Sequence, residues 1–114
     1  MLRMSQTRAS FRQCAVHFSS AEGVWAGSQA RGSLEDCEVH SNGTVGISVC
    51  DSACINIVNN KIFDNKVGVV ISGTARPQIA GNNFSGHTLA AVHTLESADP
   101  VLEVIHLSCA FCGL

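Results

Sequence analysis

The sequence predicts an all-β solenoid, and the main observation behind this prediction is a repeat of 22 to 23 residues. Equivalent glycine or alanine positions recur at Gly23, Gly46, Gly68 and Ala91. Short runs between them alternate apolar and polar residues, which is typical of strands, and clusters of Gly, Asn, Asp and Ser separate the runs. No ten-residue stretch has a helical stripe. The copies lie near residues 1–22, 23–45, 46–67, 68–90 and 91–114.

Aligned copies place small or medium apolar residues in the same rows. Two or three short strands per copy, stacked in parallel with these rows inward, make a parallel β-helix of about five coils. Adjacent coils would lie about 4.8 Å apart. The main interior rows are Met1, Val24, Ile47, Val69 and Val92; Arg3, Ala26, Val49, Ile71 and Thr94; Phe11, Leu34, Ile57, Ile79 and Leu102; and Val16, Val39, Ile62, Phe84 and Leu107.

Two further rows fall at the turns and contain amides. A side-chain amide at a turn can bond to the coils above and below it and so form a ladder. We therefore expect one ladder at Asn60 and Asn82 and a second at Asn42 and Asn65. The single 22-residue spacing is explained by one turn, just after Asn65, that is a residue shorter than its neighbours. The two rows are Cys14, Cys37, Asn60, Asn82 and Ile105, and Ser19, Asn42, Asn65 and His87.

One copy carries a motif found in a known family. The run Asn60-Lys61-Ile62-Phe63-Asp64-Asn65, followed by Gly68-Val69, resembles right-handed parallel β-helix repeats. Such repeats occur in β-helix F-box proteins, related intracellular scaffold proteins, bacterial periplasmic copper-processing proteins and, more remotely, pectin-degrading enzymes. The resemblance implies a right-handed β-helix over residues 1–114, a single domain. It implies no activity, and no F-box segment accompanies the repeats.

Both ends of the sequence lack a polar cap. Neither MLRMSQ nor SCAFCGL has the charged outer face that a terminal solenoid repeat needs. We therefore expect the 114 residues to be part of a longer solenoid, or to stack end to end with a second copy.

Composition and charge limit which binding partners and which cell compartment the sequence predicts. Only 14% of the residues are charged, and a net charge of −2 argues against nucleic acid and anionic membranes as partners. No apolar stretch approaches the length of a membrane span. The start of the chain has arginines but no apolar signal-peptide core, so the six cysteines are expected to be free thiols in an intracellular, cytoplasmic or nuclear protein.

Enzymes of this fold that process polysaccharides need clustered carboxylates. Glu35 and Glu103 share an outward row, but two coils separate them by about 14 Å. No row carries acids on adjacent coils. The sequence therefore assigns no catalytic residue and no cofactor, and it favours a non-catalytic protein.

A metal site is a weaker alternative. Cys14-x-x-His17 and Cys37-x-x-His40 repeat at an offset of 23 residues and supply ligands that suit zinc. Residues three apart on a strand point to opposite faces, so an inward cysteine would put its histidine outside. The pattern favours a repeated core cysteine with an exposed histidine. Cys109-x-x-Cys112 has no partner pair.

The best candidate binding surface is the outward row that contains Trp25, Ser48, Val70 and His93, with Leu2 as its first member. We expect these side chains to face solvent, and an exposed tryptophan and valine on a flat face favour contact with a partner. The predicted function is a rigid scaffold surface for a protein partner or substrate. The alternative is a carbohydrate-binding or polysaccharide-processing β-helix.

Overall fold

The computed structural model describes residues 2–5, 8–94, 101–103 and 106–108. They form short strands joined by turns and contain no helix, and hence none that could cross a membrane. The strands are β1 (Leu2–Ser5), β2 (Arg8–Arg12), β3 (Ala15–His17), β4 (Val24–Gly27), β5 (Arg31–Glu35), β6 (Glu38–His40), β7 (Val45–Val49), β8 (Cys54–Val58), β9 (Lys61–Phe63), β10 (Val67–Ile71), β11 (Gln78–Ala80), β12 (Asn83–Ser85), β13 (Ala90–Thr94), β14 (Val101–Glu103) and β15 (His106–Ser108).

The strands form three parallel sheets of five strands each. Sheet A has the order β1-β4-β7-β10-β13, sheet B the order β14-β11-β8-β5-β2, and sheet C the order β15-β12-β9-β6-β3. Each coil gives one strand to every sheet: β1–β3 form the first coil, β4–β6 the second, β7–β9 the third and β10–β12 the fourth. Strands β13–β15 continue the stack. The structure therefore confirms the predicted parallel β-solenoid.

The core consists of identical rows stacked along the solenoid axis. In sheet B, Leu34, Ile57 and Ile79 lie in register and are fully buried. The alternation of strand side chains sends every second residue inward, so a row with the same apolar character in each coil makes a continuous interior. The other predicted interior rows are also buried: Val24, Ile47 and Val69, and Ala26, Val49 and Ile71, in sheet A, and Val39, Ile62 and Phe84 in sheet C.

The first coil is in a different register from the one the sequence alignment predicted. Leu2 pairs with Val24, and Met4 is the buried member that pairs with Ala26. The predicted interior places for Met1 and Arg3 are therefore wrong by one residue. The physical reason lies in the first turn, where two residues connect β1 to β2 but three connect β4 to β5. The missing residue shifts β1 and leaves β2 in the predicted register.

The turns repeat as closely as the strands do. Between sheets B and C, Gln13, Asp36, Asn59 and Gly81 occupy equivalent positions and all have φ between 53° and 67°. This left-handed region suits Gly and Asn and disfavours β-branched residues. The structure confirms the expected short turn after Asn65. Paired residues are 23 positions apart between β6 and β9 but 22 apart between β7 and β10, so the turn from β9 to β10 is one residue shorter than the turn from β6 to β7.

Both predicted amide ladders are present. In the first, the Oδ1 of Asn60 accepts the Cys37 N–H at 2.9 Å, and the Oδ1 of Asn82 accepts the Asn60 N–H at 2.8 Å. The amide nitrogens donate to carbonyls of the preceding coil, from Asn60 to the Leu34 carbonyl and from Asn82 to the Ile57 carbonyl. Each amide thus satisfies backbone groups that the turn leaves without strand partners.

The second ladder ends in a histidine. Asn42 and Asn65 are joined by bonds of 3.0 Å from the Asn42 backbone and side chain to the Asn65 Oδ1. His87 is 3% exposed; its Nδ1 lies 3.3 Å from the Asn65 nitrogen and its Nε2 lies 2.9 Å from the Ile62 oxygen. The ladder also explains why glycine occupies this position of the repeat, since a Cβ at Gly46 would lie 2.9 Å from the Asn65 Nδ2.

The first coil has a stacked neighbour on one side within the described residues. Strands β1, β2 and β3 are the outermost strands of their sheets at this end. Three inward side chains there, Leu2, Phe11 and Val16, are half-buried, whereas their equivalents in the inner coils are buried. This end of the solenoid therefore presents apolar side chains together with strand edges.

Candidate functional site

The predicted binding row forms one line on the outer face of sheet A. The register pairs Trp25 with Ser48, Ser48 with Val70, and Val70 with His93. Its first member is Arg3, which pairs with Trp25. The expectation of Leu2 at that place is wrong because β1 is shifted by one residue. The row therefore begins with a cation.

Trp25 is half-buried on the outer face of sheet A, and its ring lies over Gly27. The guanidinium carbon of Arg3 sits 4.7 Å from the centroid of the ring, which is the geometry of a cation–π contact. On the sheet side, a Cβ at Gly27 would lie 2.6 Å from the indole, so the absence of a side chain at Gly27 makes room for the ring. The tryptophan is thus held in place by its two neighbours.

The rest of the row is shallow. Ser48 and Val70 are half-buried, and His93 is exposed. The row faces outward, as expected. Of its four predicted residues, however, His93 alone is exposed, and the other three are half-buried. Small side chains beside an anchored indole produce a flat face that suits a broad contact better than a deep ligand pocket.

A thiol borders this face. Cys50 follows β7 and is half-buried, and burial raises the pKa of its thiol, with the neighbouring Asp51 carboxylate as a second cause. The protonated form is therefore favoured. Cys50 contributes a polarizable, weakly polar surface here, and it lacks the cationic neighbour that would generate a thiolate nucleophile.

The structure separates the thiols from the imidazoles of the metal candidates. Cys37 is 1% exposed and its Sγ lies 3.2 Å from the Glu35 carbonyl oxygen, on the core side of the turn. Cys14 occupies the equivalent half-buried place in the first coil, whereas His17 and His40 lie on the outer face of sheet C. Across the described ranges, no three or more His, Cys, Asp or Glu side chains are grouped so that they could hold one metal ion.

Sheet C carries an aromatic column that the sequence analysis missed. His17 and His40 stack with ring centroids 5.0 Å apart, and His40 and Phe63 stack at 4.5 Å with an angle of 4° between the rings. Phe18, 75% exposed, packs edge-on against His17. The 23-residue offset that aligns His17, His40 and Phe63 was a signal in the sequence. The central ring, His40, has both faces covered, so its edge is presented outward.

The registered acids do not form a carboxylate pair. Glu35 lies between Arg12 and Val58 in sheet B, and Glu38 lies between Ala15 and Lys61 in sheet C. Each of these carboxylates therefore has a cation, and no second carboxylate, among its neighbours in register.

The family assignment agrees with this architecture. The family described as "Right handed beta helix region" matches residues 1–107 of the 114. The chain belongs to this family. The match confirms the right-handed parallel β-helix that the Asn60–Val69 motif suggested. No curated protein and no solved structure matches the chain. The family description names a fold and no activity, so the function has to be argued from surfaces of the β-helix.

Proposed function

We propose that this β-helix is a non-catalytic scaffold whose sheet A face binds a protein partner. The observation that carries the proposal is the anchored indole of Trp25, held between Arg3 and Gly27 on a flat face of small side chains. A tryptophan whose position is fixed before binding loses little conformational entropy on contact, and Trp and Arg are enriched among the residues that dominate protein interfaces.

The geometry gives less support to carbohydrate. Sugars stack on exposed ring faces, but Arg3 covers one face of Trp25, and both faces of the His40 ring in sheet C are covered by its neighbours. Polysaccharide cleavage needs two carboxylates that face one substrate. Glu35 and Glu38, which lie in registered strands, are each placed beside a cation.

The proposed site of action is inside the cell. Four described cysteines, Cys14, Cys37, Cys50 and Cys54, carry free thiols. Disulfides are rare in reducing compartments and common in small secreted domains, so free thiols support an intracellular scaffold.

The test is site-specific cross-linking. A photoreactive amino acid at position 48, in the middle of the row, is expected to yield discrete protein adducts when the chain is irradiated in an extract of its native cells. The same group at position 83, on the outer face of sheet C, is the matched control and should not give these adducts. Excess unlabelled chain should compete for the adducts, and excess Trp25→Ala chain should compete much less.

Two results would contradict the proposal. One is the same adduct pattern from positions 48 and 83, which would indicate non-specific collisions. The other is Trp25-dependent binding on a glycan array in the absence of discrete protein adducts, which would favour the carbohydrate alternative.

A further inference from the structure

Sheet B carries a concentration of positive charge that the acidic chain as a whole does not suggest. Of the seven lysine and arginine residues, four lie on or beside the outer face of this sheet, and all four are exposed. The chain nevertheless has a net charge of −2, so its charges are segregated. The four residues are Arg8 and Arg12 in β2, Arg31 in β5, and Arg76 just before β11.

Three of these arginines share one row. Arg8 pairs with Arg31, and Arg31 pairs with Cys54. The Arg76 N–H donates to the Ala53 carbonyl at 3.0 Å, continuing the pattern by which each coil bonds to the one before it at this position. Over three coil steps of about 4.8 Å, the row spans about 14 Å.

The charge of this row is not neutralised by carboxylates in the part of the chain that the structure describes. The one ion pair found there joins Arg12 to Glu35, with an N–O distance of 3.1 Å. Arg31 donates from Nη1 to the carbonyls of Gln29, Ala30 and Ser52, which orients its guanidinium but leaves the charge in place. Oriented cations without counter-charges are suited to recognising anions.

A groove runs beside the row. It has a volume of about 340 Å³ and is lined by the first two arginines and by Ser10, Ser33 and Asn56, with Cys54 at one side. Hydroxyl and amide groups can bond to a peptide backbone, while the guanidinium groups bind carboxylates. The groove therefore combines the two kinds of contact that an acidic peptide requires.

We propose that the outer face of sheet B binds a carboxylate-rich segment of a protein partner, lying along the solenoid axis. This rests on the protein-recognition role proposed above, but it uses a different face. An extended peptide advances about 3.3 Å per residue, so four or five residues would cover the row from Arg8 to Arg76. Nucleic acid fits less well, because the registered outward rows of sheet B contain no aromatic ring on which a base could stack.

The exposed Cys54 thiol is a built-in reporter for this groove. The chain is labelled with an uncharged disulfide reagent at low ionic strength, and modification of each cysteine is followed by peptide mapping. We expect acetylated hexaglutamate at saturating concentration to slow the labelling of Cys54 at least threefold, and about 0.3 M salt to abolish this protection. Hexaglutamine should have no effect, and Cys50, beyond the end of β7, serves as the internal control.

The variants test whether the arginine row is responsible. Arg8→Gln/Arg76→Gln removes two exposed charges and should abolish protection, whereas Lys61→Gln/Lys66→Gln makes the same change in net charge away from sheet B and should retain it. Arg31 is left unchanged because of its three backbone bonds. Thermal melts check folding, and Arg76→Gln alone is used if the double variant is unstable.

Three outcomes would overturn the proposal. They are no protection of Cys54 by hexaglutamate, an equal loss of protection in both double variants, and better protection by a six-residue oligothymidylate than by hexaglutamate. The last result would indicate a nucleic-acid surface. If protection fails while cross-links from position 48 persist, the sheet A proposal stands and the sheet B proposal alone is wrong.

Discussion

The first and third coils fill equivalent positions with comparable residues and differ in how far they bury them. Phe11 and Ile57 belong to the same interior row of sheet B, yet Phe11 is half-buried and Ile57 is fully buried. At the turn between sheets B and C, Cys14 in the first coil corresponds to Asn60 in the third, where the amide bonds to coils on both sides.

This difference shows that burial in a solenoid is a property of neighbouring coils. The third coil is covered above and below, while the first is covered on one side in the described structure. Stability in such a stack is approximately a sum over coils and the interfaces between them. A substitution in the third coil should therefore disturb two interfaces, and the same substitution in the first coil should disturb one.

The largest expected effect comes from a charge in the shared interior row. Ile57→Asp buries a carboxylate without a partner, and we expect it to cost more than about 4 kcal/mol of unfolding free energy, a large part of the about 5–15 kcal/mol by which ordinary domains are stable. Phe11→Asp should cost less than half as much, because its carboxylate can reach water. Urea unfolding followed by circular dichroism measures both. Equal losses would contradict the proposed dependence on neighbours.

The turn row should show a smaller contrast. Asn60→Ala leaves the Cys37 N–H and the Leu34 carbonyl without their side-chain partners, so we expect a loss of about 2–4 kcal/mol. Cys14→Ala, at the equivalent place in the first coil, should cost less than about 1 kcal/mol, since the bond from its Sγ goes to the exposed Arg12 carbonyl. Chemical unfolding compares the two variants, and an equal loss would show that the ladder adds nothing.

The smallest effect is expected in alkaline solution. Burial raises the pKa of the Cys37 thiol, so the unfolded chain releases this proton first as the pH rises. The buried, protonated thiol of Cys37 therefore contributes its full stabilisation below the pKa of the unfolded chain, about 8.5, and this contribution is lost as the pH rises through the higher pKa of the folded state. Melting temperatures should fall between about pH 8 and 10, and less steeply in Cys37→Ala.

Cys54→Ala is the matched control for this measurement, since it removes an exposed thiol, retains Cys37 and should keep the wild-type alkaline slope. If Cys37→Ala has the same slope as the wild type, the loss at high pH arises from other groups.

Much of the fold was predictable because a repeat converts sequence position into spatial position. Once Ile57 was aligned with Leu34 and Ile79, their stacking followed from parallel pairing, and the amides at Asn60 and Asn82 had to meet. The first coil was misplaced because the alignment fixed its register by residue count, and the count fails where the turn before β2 has one residue fewer. Met4, a better interior residue than Arg3, was the available signal.

The candidate surfaces were only partly predictable. The row of Trp25, Ser48, Val70 and His93 was found, but the half-burial of Trp25 depends on the contacts with Arg3 and Gly27. Outward side chains are free to choose among rotamers, and their choice depends on neighbours in adjacent coils.

The sequence by itself determined the repeat, the parallel stacking, the interior rows and both amide ladders, because buried rows tolerate only residues that fit their stacked neighbours. The tertiary structure alone decided how Arg3 covers Trp25 and how the rings of His17, His40 and Phe63 stack. These contacts join side chains a full coil apart, where the solvent side imposes a weaker residue pattern than the interior does.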